Sequence, residues 1–144
     1  MSLNQGRVYF ADENSLGLGK LLCRSGRSDV FYPGHPGIPE IPRGTDDLVW
    51  LEVAGSRGWI VLSRERRIRT RPAELRAYHE HGVRSVWIGG KRDMSPHDQA
   101  DIFIQHESRL IREIIERGPG PWALTMTSTG IRPLTLRGNP GIAG

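Results

Sequence analysis

The residues of this 144-residue chain best suited to chemistry are carboxylates set against apolar runs. Asp12 and Glu13 follow Val8-Tyr9-Phe10-Ala11, Asp46 and Asp47 precede Leu48, and Glu65 comes shortly after Trp59-Ile60-Val61-Leu62. In open parallel sheets ligands bind just beyond the carboxyl ends of the strands, so a buried strand ending in an acid can hold a cation there. Several acids converging on one spot repel each other unless a cation neutralises them. Asp12, Glu65 and one of Asp46 and Asp47 are therefore metal-ligating candidates, with Glu13 directly beside Asp12. Each has an ordinary alternative. Asp12 and Glu13 could begin a solvated turn, and a helix N-cap together with the helix dipole accounts for one of Asp46 and Asp47.

To position these acids the chain needs strands that end on one edge. The pattern predicts a strand over 7–11, then a helix carrying Leu16, Leu18, Leu21 and Leu22, capped by Asn14 or Ser15 and stopped by Gly26. Gly17 and Gly19 weaken that helix by up to about 1 kcal/mol each, so packing must hold it or close approach to a neighbour must require them. A short strand over 29–32 leads into a proline-rich surface loop, 35–44. A helix opening at Thr45 or Asp46 and ending at Gly58 follows, then a strand over 59–62 whose continuous apolar run marks coverage on both faces. Pro72 at N1 starts a helix to His81 closed by Gly82, and residues 84–88 form a strand. Ser95-Pro96-His97-Asp98 opens the longest helix, to about Arg117, with Ile104, Leu110, Ile111, Ile114 and Ile115 as its apolar stripe and Arg112/Glu116 and Glu113/Arg117 as surface pairs. Strands over 122–127 and 131–136 close the fold. The alternation argues for a mainly parallel α/β sheet with right-handed crossovers, in one domain over 7–137 between a patternless start, 1–6, and a polar glycine-rich tail, 138–144.

Composition narrows the partners. A net charge of +4, carried almost entirely by arginine, points to a polyanion such as RNA or DNA. Arg64, Arg66, Arg67 and Arg69 bunch between Arg57 and Arg76 and are the RNA-binding candidates; a solvated face or a contact for an acidic protein is the plainer reading of such a run. No apolar run approaches the roughly 20 residues that cross a membrane, no export signal is visible, and a single cysteine, Cys23, fits a reducing cytoplasm. His79 and His81 face different sides of their helix. His97 and Asp101, four apart, are more ordinary as a surface pair than as ligands.

Phe10-Ala11-Asp12-Glu13-Asn14, Asp46-Asp47 and Ile60-Val61-Leu62-Ser63-Arg64-Glu65-Arg66-Arg67-Ile68, in that order and spacing, resemble the acidic stations of PIN-like domains, in particular VapC-type toxins of bacterial toxin-antitoxin pairs. The resemblance covers roughly 7–117 and implies a three-layer α/β/α fold and a ribonuclease dependent on Mg²⁺ or Mn²⁺. It implies RNA as substrate and a cognate antitoxin as partner, with a homodimer as a further expectation. Asp12 matches the first-strand acid, Asp47 or Asp46 the helix acid, and Glu65 stands where the family usually has aspartate. Arg67 falls near a usual fourth acid. A catalytically impaired module that binds RNA or a partner is the alternative. A receiver-like signalling domain, suggested by Asp12-Glu13 and by Lys91 after a later strand, ranks lower because Ser63-Arg64-Glu65 offers no phospho-accepting aspartate.

Overall fold

A computed structural model describes residues 7–64, 71–90 and 93–136. The expectations for 1–6, for Glu65, Arg66, Arg67 and Arg69, for Lys91 and for 138–144 lie outside the described residues. The described elements are β1 (Tyr9–Ala11), a 3-10 turn (Glu13–Ser15), α1 (Leu16–Arg24), β2 (Val30–Phe31), α2 (Asp47–Arg57), β3 (Ile60–Arg64), α3 (Pro72–His81), β4 (Arg84–Ile88), α4 (Pro96–Arg117), β5 (Trp122–Thr127) and β6 (Gly130–Leu134).

Their sheet has the order β2-β1-β3-β4-β5-β6, parallel throughout except for the antiparallel β5–β6 pair. Alternation along the strands sorts the core into two layers. Tyr9, Ala11, Ile60, Leu62, Val86 and Ile88 face α1 and α4, whereas Phe10, Trp59, Val61 and Trp87 face α2 and α3. The fold is thus α/β/α. Chain direction reverses its lateral progress between β1 and β3, the switch point at which doubly wound sheets open a crevice.

Local chemistry explains most boundaries. Asp46 caps α2 by accepting from the Leu48 amide at 2.9 Å, and Gly58 closes the helix in the left-handed conformation at φ 69°. Ser95 does the same for α4 through the Asp98 amide at 3.1 Å. The glycines of α1 are there for space: a Cβ on Gly19 would lie 2.9 Å from the Ala11 Cβ, and one on Gly17 would lie 2.8 Å from Pro96 Cγ.

Five expectations are corrected. β3 runs on through Ser63 and Arg64, because all five of its residues find parallel partners in β4. The segment 35–44 is no mere surface loop. Ile38 and Ile41 are buried in the α2/α3 layer, and Gly34 donates to the Ile41 carbonyl at 2.8 Å, so the prolines shape a plug. On α4, Phe103, Leu110 and Ile114 form the buried face, whereas Ile104 and Ile115, about 100° round the helix, are 56% and 67% exposed. Of its two anticipated ion pairs, Glu113–Arg117 forms at 2.9 Å, and no Arg112–Glu116 bridge occurs among the described residues. Finally, α3 and α4 connect successive strands in the same lateral direction but on opposite faces, so the β4–α4–β5 crossover has the opposite hand to β3–α3–β4. Such reversals are rare in parallel sheets. Here α4 gains α1 as a packing partner, and Leu134 and Leu136 cover the face of β5 that α4 leaves.

The turn between α1 and β2 is held to α4 electrostatically. Arg27 donates to Asp29 at 2.9 Å and to Glu107 of α4 at 2.7 Å, with its guanidinium over the Tyr9 and Phe103 rings. The Asp29 hydrogen bond, opposed by partial burial and reinforced by Glu107, holds Arg27 firmly protonated.

Candidate active site at the carboxyl edge of the sheet

β1 and β3 deliver their last residues side by side at the switch point. The Asp12 amide donates to the Leu62 carbonyl at 3.2 Å, which extends the ladder by one residue. The chain then turns, with the Ser15 amide on the Asp12 carbonyl at 2.9 Å. Asp12 is only 5% exposed, and its Oδ2 accepts the hydroxyl of the equally buried Ser63 at 2.7 Å. A buried carboxylate is costly unless charged or polar partners surround it, so this placement fits a residue with a task rather than a solvated turn.

Asp47 reaches the same region from the first turn of α2. Its Oδ1 accepts the Trp50 indole proton at 3.1 Å. The Trp50 ring in turn packs on Phe10 with centroids 5.2 Å apart, two residues before Asp12 on the same strand face. One aromatic pair therefore ties the helix carrying Asp47 to the strand carrying Asp12.

Beneath them lies Tyr78 of α3. Burial raises its phenol well above the ordinary 10.0; a hydrogen bond with Ser85 pulls the other way, and the charges of Asp12, Glu74 and Asp47 raise it further. All three carboxylates are thus within electrostatic reach of one hydroxyl. Sequence reasoning missed Ser63, Tyr78 and Glu74. The period-two position of Ser63 and the i,i+4 spacing of Glu74 and Tyr78 were the available signals.

The other candidates are engaged elsewhere. Asp46 spends one carboxylate oxygen on the α2 cap. Glu13 accepts from Arg43 Nε at 3.1 Å and from the Gly44 amide at 2.7 Å. Arg64 points to the α1/α4 side, where it donates to the Ile88 carbonyl at 2.9 Å. Glu65, Arg66, Arg67 and Arg69 are outside the described residues, so the Asp12–Asp47–Glu65 set is seen only as its first two members. Among the described residues no three His, Cys, Asp or Glu side chains form a group able to hold a metal ion. Asp12 and Asp47 nonetheless offer hard oxygen donors, the type suited to Mg²⁺ or Mn²⁺.

Clefts open at both edges of the sheet. One of about 380 Å³ continues the carboxyl edge beyond β4 and β5; Asp98 and Asp101 on its wall make it a poor path for phosphates. The other, about 450 Å³, lies at the opposite edge, where Arg84 donates to the Gly58 and Gly118 carbonyls and so neutralises the ends of α2 and α4.

A family model described as a PIN like domain matches residues 8–90, which span β1 through β4 with α1, α2 and α3. The chain belongs to the PIN-like domain family. No curated protein and no solved structure matches it. The strand order β2-β1-β3-β4-β5 is common to several doubly wound folds and would not alone separate a PIN-like domain from a receiver; the family match does. No helix among the described residues is long and apolar enough to cross a membrane.

Proposed function

We propose that the protein is a metal-dependent endoribonuclease acting as the toxin of a toxin-antitoxin pair. The observation that supports the nuclease reading is the buried Asp12 carboxylate, oriented by Ser63 at the β1/β3 switch point of a PIN-like domain, with Asp47 in electrostatic reach of the same Tyr78. Asp12, Asp47 and Glu65 are the residues that would hold Mg²⁺ or Mn²⁺, which supplies a Lewis acid to activate water and offset charge at the scissile phosphate. Ser63 fixes the rotamer of Asp12. Trp50 fixes that of Asp47, and the packed Phe10–Trp50 pair keeps the two acids in register. The arginine run and the net charge of +4 attract and steer RNA. The toxin role rests on the order and spacing of the acidic stations, and predicts a cognate antitoxin and a cytoplasmic site of action, with self-association as a further expectation.

The test is cleavage of single-stranded RNA by purified protein with Mg²⁺ or Mn²⁺ and with EDTA, together with growth arrest on expression. Cleavage only with metal supports the nuclease. A second reading, an RNA- or partner-binding module without catalysis, is favoured by Arg67, a cation that falls near the position of a usual fourth acid. RNA binding of equal strength in EDTA, with no cleavage under any condition, would establish it instead.

A further inference from the structure

Glu13 follows Asp12 directly, yet its carboxylate turns away toward the exit of the proline-rich plug. One oxygen takes the Gly44 amide and the other the Arg43 guanidinium. Gly44 lies three residues before Asp47, at φ 84°, a conformation that favours glycine. Between them the Thr45 amide and hydroxyl both return to the Pro42 carbonyl, at 3.2 and 2.6 Å, so the segment is a tight turn that delivers α2. The upstream end is anchored by buried Ile41. The 3-10 turn holding Glu13 is likewise fixed, by the Ser15 amide on the Asp12 carbonyl.

We propose that Glu13 is a positioning residue: by clamping Gly44 and Arg43 to the end of β1, it fixes where the first turn of α2 presents Asp47. This rests on the metal-nuclease reading and replaces a direct metal role for Glu13. A divalent cation on that carboxylate would meet like-charge repulsion from the Arg43 guanidinium, whose Nε lies 3.1 Å from Glu13 Oε2. The clamp works at one remove, through the Gly44 amide and the first turn of α2.

The experiment uses the full chain without metal, labelled with ¹⁵N, as wild type, Glu13→Gln and Glu13→Ala. Glutamine keeps an acceptor for the Gly44 amide; alanine keeps none. In Glu13→Ala the Gly44 amide should exchange at least about tenfold faster, and the Trp50 indole resonance, which reports its bond to Asp47, should shift. Glu13→Gln should leave both close to wild type. Calorimetry with Mn²⁺ alone should then show affinity reduced roughly 10- to 100-fold in Glu13→Ala, the usual effect of losing a supporting partner, and restored in Glu13→Gln. Should Glu13→Ala not fold, Glu13→Asp, which withdraws the carboxylate by one methylene, gives the same readouts. An unmoved Gly44 amide and Trp50 indole would overturn the proposal, as would equal loss of Mn²⁺ binding in the glutamine and alanine variants. A wild type that binds no Mn²⁺ would defeat the nuclease reading, while the two resonances still decide whether the clamp exists.

Discussion

Ser63 donates its hydroxyl proton to Asp12 at 2.7 Å across the β1–β3 boundary, with both side chains buried. The bond exists because β3 is two residues longer than its apolar run, which brings Ser63 level with the end of β1 on the α2/α3 face. Ser63→Ala leaves a buried carboxylate short of a donor and should cost about 1–3 kcal/mol. Ser63→Thr, which retains the hydroxyl, should cost less. Urea denaturation of the two variants checks the order.

The Arg27 network predicts a larger loss. Arg27→Ala abandons Asp29 and Glu107, whose side chains are 13% and 16% exposed. Removing one partner from a largely buried ion-pair cluster costs about 3 kcal/mol, or roughly 10 °C in melting temperature for a domain of this size. Thermal unfolding of Arg27→Ala with Arg112→Ala, an exposed control, measures it.

Close packing of α1 on the sheet makes Gly19 a sharp probe. A methyl there meets Ala11 Cβ at 2.9 Å and Tyr32 Cβ at 3.2 Å. Helix propensity alone favours Gly19→Ala by about 1 kcal/mol, but overpacking costs typically 1–3 kcal/mol. Net destabilisation is expected. A rise in melting temperature would show that α1 can move off β1.

Tyr9 and Tyr78 set the alkaline limit. Burial first, then the Glu107 charge, raises Tyr9; burial, with Asp12, Glu74 and Asp47, raises Tyr78 against the Ser85 hydrogen bond. Above the ordinary value of 10.0 the unfolded chain releases phenol protons that the folded chain keeps, so fewer protons are bound in the unfolded state. Stability from both groups is complete below that value and falls as pH rises beyond it. Tyr78→Phe should flatten the decline above about pH 10, measured by denaturant midpoints.

Much of the fold was legible because its signals are local. Pro72 and Gly82 bracket α3, Ser95-Pro96 opens α4, and Asp46 and Gly58 bound α2. What was hidden depends on contacts made at long range. Ile38 and Ile41 stand among prolines, and only the space beneath α2 shows that they are core. Ile104 and Ile115 match the helical period as well as Leu110 does, yet α1 and the sheet cover only the face centred on Phe103 and Ile114. At the candidate site, the place of Asp12 at the end of a buried strand was readable from the apolar run before it. The roles of Ser63, Tyr78 and Glu13 required knowing which strands adjoin and where the chain returns after 31 residues to offer Gly44 to Glu13.

The most direct measurement of the central claim is the single-turnover rate of RNA cleavage in Mn²⁺ by wild type and Asp12→Asn. The substitution keeps the shape of the side chain and its contact with Ser63 while removing the charge. Asp12→Asn should lose about a hundredfold or more, the scale of removing one preorganised group that stabilises the transition state, with RNA affinity and melting temperature retained. Cleavage by Asp12→Asn at the wild-type rate would contradict it.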